Sequence, residues 1–200
     1  QYMSVTNYGP TNICDLFMDR QTIALNTFMD LIPDVISDIS DPSYRKAVHS
    51  YLVLCVSRLA NRQSTNAFWD TVGENVQQVF AMQALPMRWD TVEGNPFSSS
   101  SGNFMGQVEY LAKAVAALPC SDQGGVERQQ DAQNVDFSGF VISTDPPYYD
   151  NVPYADLSDF FYVWLRKGLA STYPDLFSTM LVPKQEELVA DYKRHGGKDE

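Results

Sequence analysis

Four consecutive residues, Asp145-Pro146-Pro147-Tyr148, have side chains that can hold an amino group attached to an aromatic ring. The two prolines fix successive φ angles and remove two backbone N–H donors, which leaves the nearby carbonyl groups as acceptors in a stiff frame. Asp145 adds a carboxylate acceptor, and Tyr148 adds a flat ring for stacking. Acceptors on both N–H bonds stabilise the positive charge that develops when such an amine is alkylated. The motif therefore predicts group transfer to the amine of a base taken out of its stack.

The segments on either side of the motif indicate how it is positioned. Residues 140–142 form a short apolar run typical of a buried parallel strand, and residues 156–169 have an aromatic face at helical spacing. In open α/β sheets, ligands bind at the carboxyl ends of the strands, where this motif would lie. We therefore expect the residues that follow it, Tyr149, Asn151 and Tyr154, to bind substrate.

The N-terminal half of the chain has mostly helical periodicity. Apolar residues recur at helical spacing over residues 15–39, with a break expected at Pro33. Asp41 and Pro42 form a cap and first-turn pair that predicts the start of a second helix. Two more helices are predicted at residues 74–84 and 103–118.

The helical periodicity ends after residue 118, and short apolar runs typical of strands follow. Together these two patterns predict an α/β fold with two regions. Residues 1–118 are expected to form a mainly helical region. Residues 119–200 are expected to form part of a catalytic core, with a short strand at 126–130 ahead of the one at 140–142.

Composition limits the remaining possibilities. The net charge of −11 opposes binding to phosphate, which Lys and Arg normally neutralise. The three cysteines lie far apart and only two histidines occur, so we assign no metal ligands and expect no disulfide framework. No stretch is apolar enough to span a bilayer, and we expect a cytoplasmic protein without membrane contact.

The wider context of the motif adds a family resemblance. Residues 143–165 closely resemble large microbial adenine-specific DNA methylases that carry a zinc ribbon. Further islands of resemblance run through nearly the whole chain: Asp15-Leu16-Phe17, Leu59-Ala60-Asn61-Arg62, residues 83–90, Asn95-Pro96-Phe97-Ser98 and residues 183–190.

The resemblance implies a partial Rossmann-like methyltransferase sheet preceded by a largely helical N-terminal half. It implies S-adenosyl-L-methionine as the methyl donor, and N6 of a flipped adenine in DNA as the acceptor. Asp145, Pro146, Pro147 and Tyr148 match the family's catalytic motif. Asp131 and Ala132 match by position the acidic segment that contacts the cofactor.

The chain departs from the family pattern in two places. It contains neither the glycine-rich cofactor loop nor the zinc-ribbon cysteines. The resemblance therefore implies an internal fragment of a longer methylase, whose remaining parts complete the cofactor site and supply basic surface for DNA. We expect the fragment alone to be inactive.

Three alternatives remain open at this level. The same four residues can hold the exocyclic amine of cytosine, and they can act on RNA as well as on DNA. A third alternative is a non-catalytic helical module that makes protein contacts within a larger DNA-modification or defence protein. The acidic charge and the missing cofactor loop favour this third alternative for the isolated chain.

Overall fold

A computed structural model describes residues 3–119, 124–149 and 152–190. Four α-helices occur in these ranges: α1 (Asp19–Val35), α2 (Pro42–Ala60), α3 (Phe104–Ala117) and α4 (Tyr154–Leu169). Two short strands, β1 (Phe68–Asp70) and β2 (Asn75–Gln77), pair antiparallel, with Trp69 opposite Val76. Three 3₁₀ turns complete the described elements: Ser4–Tyr8, Ile13–Leu16 and Ala132–Asn134.

Local signals explain the starts of two helices. The Asp41 carboxylate accepts hydrogen bonds from the backbone N–H groups of Ser43 and Tyr44 at 2.8 and 2.9 Å, as an N-cap does. Asn103 caps α3 in the same way, because its side-chain oxygen accepts from the N–H of Gly106 at 2.6 Å. These two helices begin where the sequence predicts.

One hydrophobic core joins α4 to the helices of the N-terminal half. Leu25 of α1, Val53 and Leu59 of α2, and Phe160 of α4 are all fully buried in it. The Phe160 ring stacks on Phe17, with ring centroids 5.4 Å apart. The aromatic face of α4 therefore packs against helices and loops.

Gly168 marks the closest approach in this core. A Cβ atom at this position would lie 2.6 Å from the sulfur of Met29 in α1 and 2.8 Å from the methyl carbons of Val53 in α2. Only a residue without a side chain lets the three helices approach to this distance.

The fold is thus mixed and helix-rich, and the described residues contain no Rossmann-like sheet. Residues 140–142, expected as a buried strand, have no strand partner there, and Phe140 and Val141 are 73% and 102% exposed. Residues 126–130 are likewise extended but unpaired. A strand requires a neighbour for its backbone hydrogen bonds, and none of the described segments provides one.

The helix predicted at residues 74–84 was wrong, and the break predicted near Pro33 falls two residues later. Residues 74–84 form β2 and a loop, because the chain turns at Gly73 and Glu74 and returns along β1. Glu74 has a φ of +48°, which a helix does not allow. Pro33 lies inside α1 without breaking it, and the helix ends two residues later at Val35.

The described helices include none that is both long enough and apolar enough to cross a membrane.

Candidate functional site

The Asp-Pro-Pro-Tyr motif lies on the surface, in the extended segment that precedes α4. Asp145 and Pro146 are exposed, Pro147 is half-buried, and the Tyr148 side chain is 70% exposed. Within the described ranges the Asp145 carboxylate has no hydrogen-bond or ion-pair partner. The acceptors of the motif are therefore accessible to a ligand.

A tight turn follows the two prolines. The backbone N–H of Tyr149 donates to the carbonyl oxygen of Pro147 at 3.1 Å. Tyr149 has a φ of +39°, in the left-handed region that bulky residues rarely adopt. Residues held in this region often lie at functional sites, where surrounding contacts maintain the conformation. The Tyr149 side chain is 78% exposed, so the turn presents a second accessible tyrosine beside Tyr148.

One contact that maintains this turn comes from residues 182–190, which we call the strap. The backbone N–H of Ala190 donates to the carbonyl oxygen of Tyr149 at 3.0 Å. Its neighbour in the strap, Val189, is buried. The last described residue of the turn is therefore bound to a segment that lies about forty residues further along the chain.

The strap is also attached to α4 at two points. Glu187 accepts a hydrogen bond from the backbone N–H of Ala155 at 2.8 Å, in the first turn of the helix. Further along, the Asp159 carboxylate accepts from the backbone N–H of Val182 at 2.8 Å and from the ammonium of Lys184 at 2.7 Å. The motif, the strap and the N-terminal half of α4 form one hydrogen-bonded unit.

The sequence did not predict the roles of Asp159 and Glu187. The Lys184 ammonium is paired with Asp159, whose side chain is only 10% exposed. The only feature of the sequence that pointed to Asp159 was the position of its carboxylate next to Phe160, on an otherwise aromatic helix face. A buried carboxylate needs a partner, but its position along the chain does not identify that partner.

A cavity of about 550 Å³ lies where the motif leads into α4. Val152 and Leu157 are buried in its floor, and Phe80 and Phe161 form an aromatic wall. Tyr154, predicted to bind substrate, lines the cavity. This places one predicted substrate residue beside an open, solvent-facing cavity.

Of the other predicted substrate residues, Tyr149 lies in the turn described above, and Asn151 lies outside the described residues. Gln83, which the sequence placed in an island of resemblance without a role, also lines the cavity.

The predicted cofactor residues are engaged in a local turn. Asp131 caps the 3₁₀ turn Ala132–Asn134: one carboxylate oxygen accepts from the N–H of Gln133 at 2.9 Å, and the other from the side-chain amide of Asn134 at 2.6 Å. Asp131 and Ala132 are both exposed. No described hydrogen bond joins them to the Asp-Pro-Pro-Tyr motif, and together they form only an open surface for a cofactor.

In the described part of the chain, no group of three or more His, Cys, Asp or Glu side chains could hold a metal ion. No family model, curated protein or solved structure matches this chain.

Proposed function

We propose that this chain carries the target-base site of an S-adenosylmethionine-dependent DNA methyltransferase that modifies N6 of adenine in a flipped base. The single observation that carries the proposal is the accessible Asp145 carboxylate, which has no partner among the described residues and stands at the head of a stiff Pro-Pro-Tyr frame. The strap supports this assignment, since it binds the turn after the motif to the start of α4.

The proposed chemistry follows from the donors and acceptors of the motif. The adenine amine has two N–H bonds, and its lone pair is conjugated into the ring. Asp145 would accept one N–H bond, and a backbone carbonyl in the proline frame would accept the other. Tyr148 would stack on the ring. Because both acceptors are in place before the base enters, they stabilise the charge that develops on nitrogen without rearranging.

S-adenosyl-L-methionine would supply the methyl group. Asp131 and Ala132 form only an open surface, so the proposal assigns most of the cofactor site to the remaining parts of a longer parent methylase. It also assigns residues 140–142 to a Rossmann-like sheet completed by those parts. In support, three consecutive apolar side chains there are more than half exposed, which is unfavourable unless another segment covers them. A cytoplasmic location belongs to the same proposal.

DNA is the proposed partner despite the acidic charge. Two of the arginines and lysines that would face phosphate are already paired, Arg20 with Glu93 and Lys167 with Asp30. With a net charge of −11, this chain would gain little from releasing counterions on the duplex. We therefore propose that other parts of the parent protein bind the duplex, whereas this chain binds the flipped base.

Transfer of a labelled methyl group to DNA by the parent protein tests the proposal. Asp145→Ala and Tyr148→Ala should each lower the rate by about 100-fold or more, because each removes an interaction with the reacting base. Asp38→Ala, which removes an exposed carboxylate between α1 and α2, serves as the matched control and should leave the rate unchanged. A normal rate in Asp145→Ala would refute the proposal.

A second candidate, a non-catalytic interaction module, is favoured by one observation. Phe140, Val141 and Ile142 offer an extended apolar edge that a partner strand can cover. Under this alternative the parent protein binds its partner equally well with or without Asp145. The labelled-methyl experiment separates the two candidates, because only the first predicts a loss of transfer in Asp145→Ala.

A further inference from the structure

The described residues that line the cavity beside α4 are all uncharged. Its floor and one wall are apolar, and the rings of Phe80 and Phe161 lie 5.1 Å apart at an angle of 37°. The polar groups at its rim are the amide of Gln83 and the hydroxyls of Tyr154 and Ser158. A lining of this kind suits a neutral heteroaromatic ring and provides no cation for a phosphate.

The rim groups are available to a ligand. Gln83 and Ser158 are exposed, and Tyr154 is 41% exposed. None of the three side chains has a hydrogen-bond partner among the residues that the structure describes. Each can therefore form hydrogen bonds to a ring without first breaking a bond within the protein.

The cavity is also within reach of the Asp-Pro-Pro-Tyr motif. Val152, in its floor, follows Tyr148 by four residues, and four residues span at most about 14 Å. The backbone of Tyr148 therefore lies within about 14 Å of the cavity floor, close enough for a base stacked on its ring to reach the cavity. The 80–83 side of the cavity comes from the N-terminal half of the chain, so a base lying there would contact both halves.

We infer that this cavity receives the flipped base and that Gln83 is a specificity-determining residue that reads its edge. This inference rests on the proposed function. The side-chain amide of Gln83 can donate an N–H to N7 of adenine, next to the amino group that Asp145 and a backbone carbonyl hold. Phe80 and Phe161 supply the apolar wall against which the ring packs.

Nucleoside binding to the 200-residue chain tests the inference without methyl transfer. Ligand-observed NMR titration measures the dissociation constants of deoxyadenosine, thymidine and 7-deaza-deoxyadenosine, in which N7 is replaced by a C–H group. The chain should bind deoxyadenosine roughly tenfold more tightly than the deaza analogue, because the analogue lacks the Gln83 contact. Gln83→Ala should bind the two with equal affinity, and Gln129→Ala, at an exposed position outside the cavity, should behave like the wild type.

A second variant tests the location. Ser158→Trp fills the cavity from the exposed surface of α4 and should abolish deoxyadenosine binding, whereas Ala112→Trp on the exposed surface of α3 should not. Circular dichroism establishes that each variant is folded.

Three results would overturn the inference: no deoxyadenosine binding by the wild type at millimolar concentration, unchanged binding by folded Ser158→Trp, or a Gln83→Ala variant that still discriminates against the deaza analogue. Because nucleoside binding requires neither a methyl donor nor Asp145 chemistry, these outcomes are distinct from a failure of the methyl-transfer assay.

Discussion

The backbone N–H of Ala190 donates a hydrogen bond to the carbonyl oxygen of Tyr149, with the two atoms 3.0 Å apart. This contact joins the turn after the Asp-Pro-Pro-Tyr motif to the strap, and the strap is in turn attached to α4 through Glu187 and Asp159. A surface loop whose position matters for binding needs such support from rigid elements. The strap is therefore the part of the structure that links helix packing to the geometry of the motif.

Glu187→Ala should loosen the strap. Glu187 accepts from the N–H of Ala155 at 2.8 Å, near the positive end of the α4 dipole. Losing this cap should lower the free energy of unfolding by about 1 kcal/mol. In hydrogen exchange, the Ala155 and Ala190 amides should exchange faster. Glu186→Ala, at the exposed neighbouring position, is the matched control. Unchanged exchange at both amides in Glu187→Ala would show that the strap does not hold the loop.

The ion pair between Asp159 and Lys184 should contribute more. Asp159→Ala removes the acceptor of the Val182 backbone N–H and the carboxylate partner of the Lys184 ammonium, in a site where the two charged side chains are only 10% and 26% exposed. We expect a loss of about 2 kcal/mol in urea denaturation, below the range for a fully buried pair because Lys184 retains some solvent.

A double-mutant cycle isolates that interaction. Lys184→Met combined with Asp159→Ala should destabilise the protein by less than the sum of the two single changes. Strict additivity would mean that the ammonium and the carboxylate do not interact in solution.

Packing at Gly168 can be tested with a single methyl group. In Gly168→Ala the new Cβ meets Met29 and Val53 at 2.6 to 2.8 Å, closer than carbon and sulfur atoms can pack. The clash should outweigh the better helix propensity of alanine and lower the free energy of unfolding by about 1–3 kcal/mol. Gly124→Ala is the control, since nothing lies within 4 Å of its Cβ position. A Gly168→Ala variant as stable as the wild type would contradict the three-helix packing described above.

His49 should make stability depend on pH. Burial lowers the pKa of His49 from its ordinary value of 6.5, and its ring nitrogen Nδ1 lies 3.0 Å from the hydroxyl of Thr172. Below pH 6.5 the unfolded chain binds a proton that the folded chain does not, so stability should fall as the pH drops through this range.

Denaturation between pH 7 and pH 5 measures this effect. His49→Gln should show a smaller loss over the interval. Thr172→Val should keep the wild-type slope, because burial, not the hydroxyl, shifts the pKa. A wild-type slope in His49→Gln would contradict this assignment.

The sequence could predict those parts of the fold that depend on local signals. Asp41 and Pro42 mark the start of α2, Asn103 marks the start of α3, and α4 ends at Leu169, where the helix predicted at residues 156–169 ends. Each of these boundaries is determined by residues within one or two turns of helix. The motif at Asp145 and Tyr154 could be singled out from the sequence because their residue types are informative on their own, and their roles stay predictions.

Features that depend on distant partners could not be predicted in the same way. Residues 140–142 have the composition of a strand, but pairing depends on a neighbour that a local pattern does not specify. Glu187 looks like an ordinary surface carboxylate until the strap brings it to the N–H of Ala155, 32 residues away along the chain. Gln83 likewise lines the cavity only because the 80–83 loop meets α4 there.

The identity of the methylated nucleoside tests the central claim most directly. The parent protein is incubated with S-adenosylmethionine and DNA, and the DNA is digested to nucleosides and analysed by mass spectrometry. We predict N6-methyldeoxyadenosine with the wild type and with Asp38→Ala, and at least a 100-fold reduction with Asp145→Ala, about 2.7 kcal/mol of transition-state stabilisation. Equal amounts of N6-methyldeoxyadenosine from Asp145→Ala, or methylation of cytosine in place of adenine, would contradict the account.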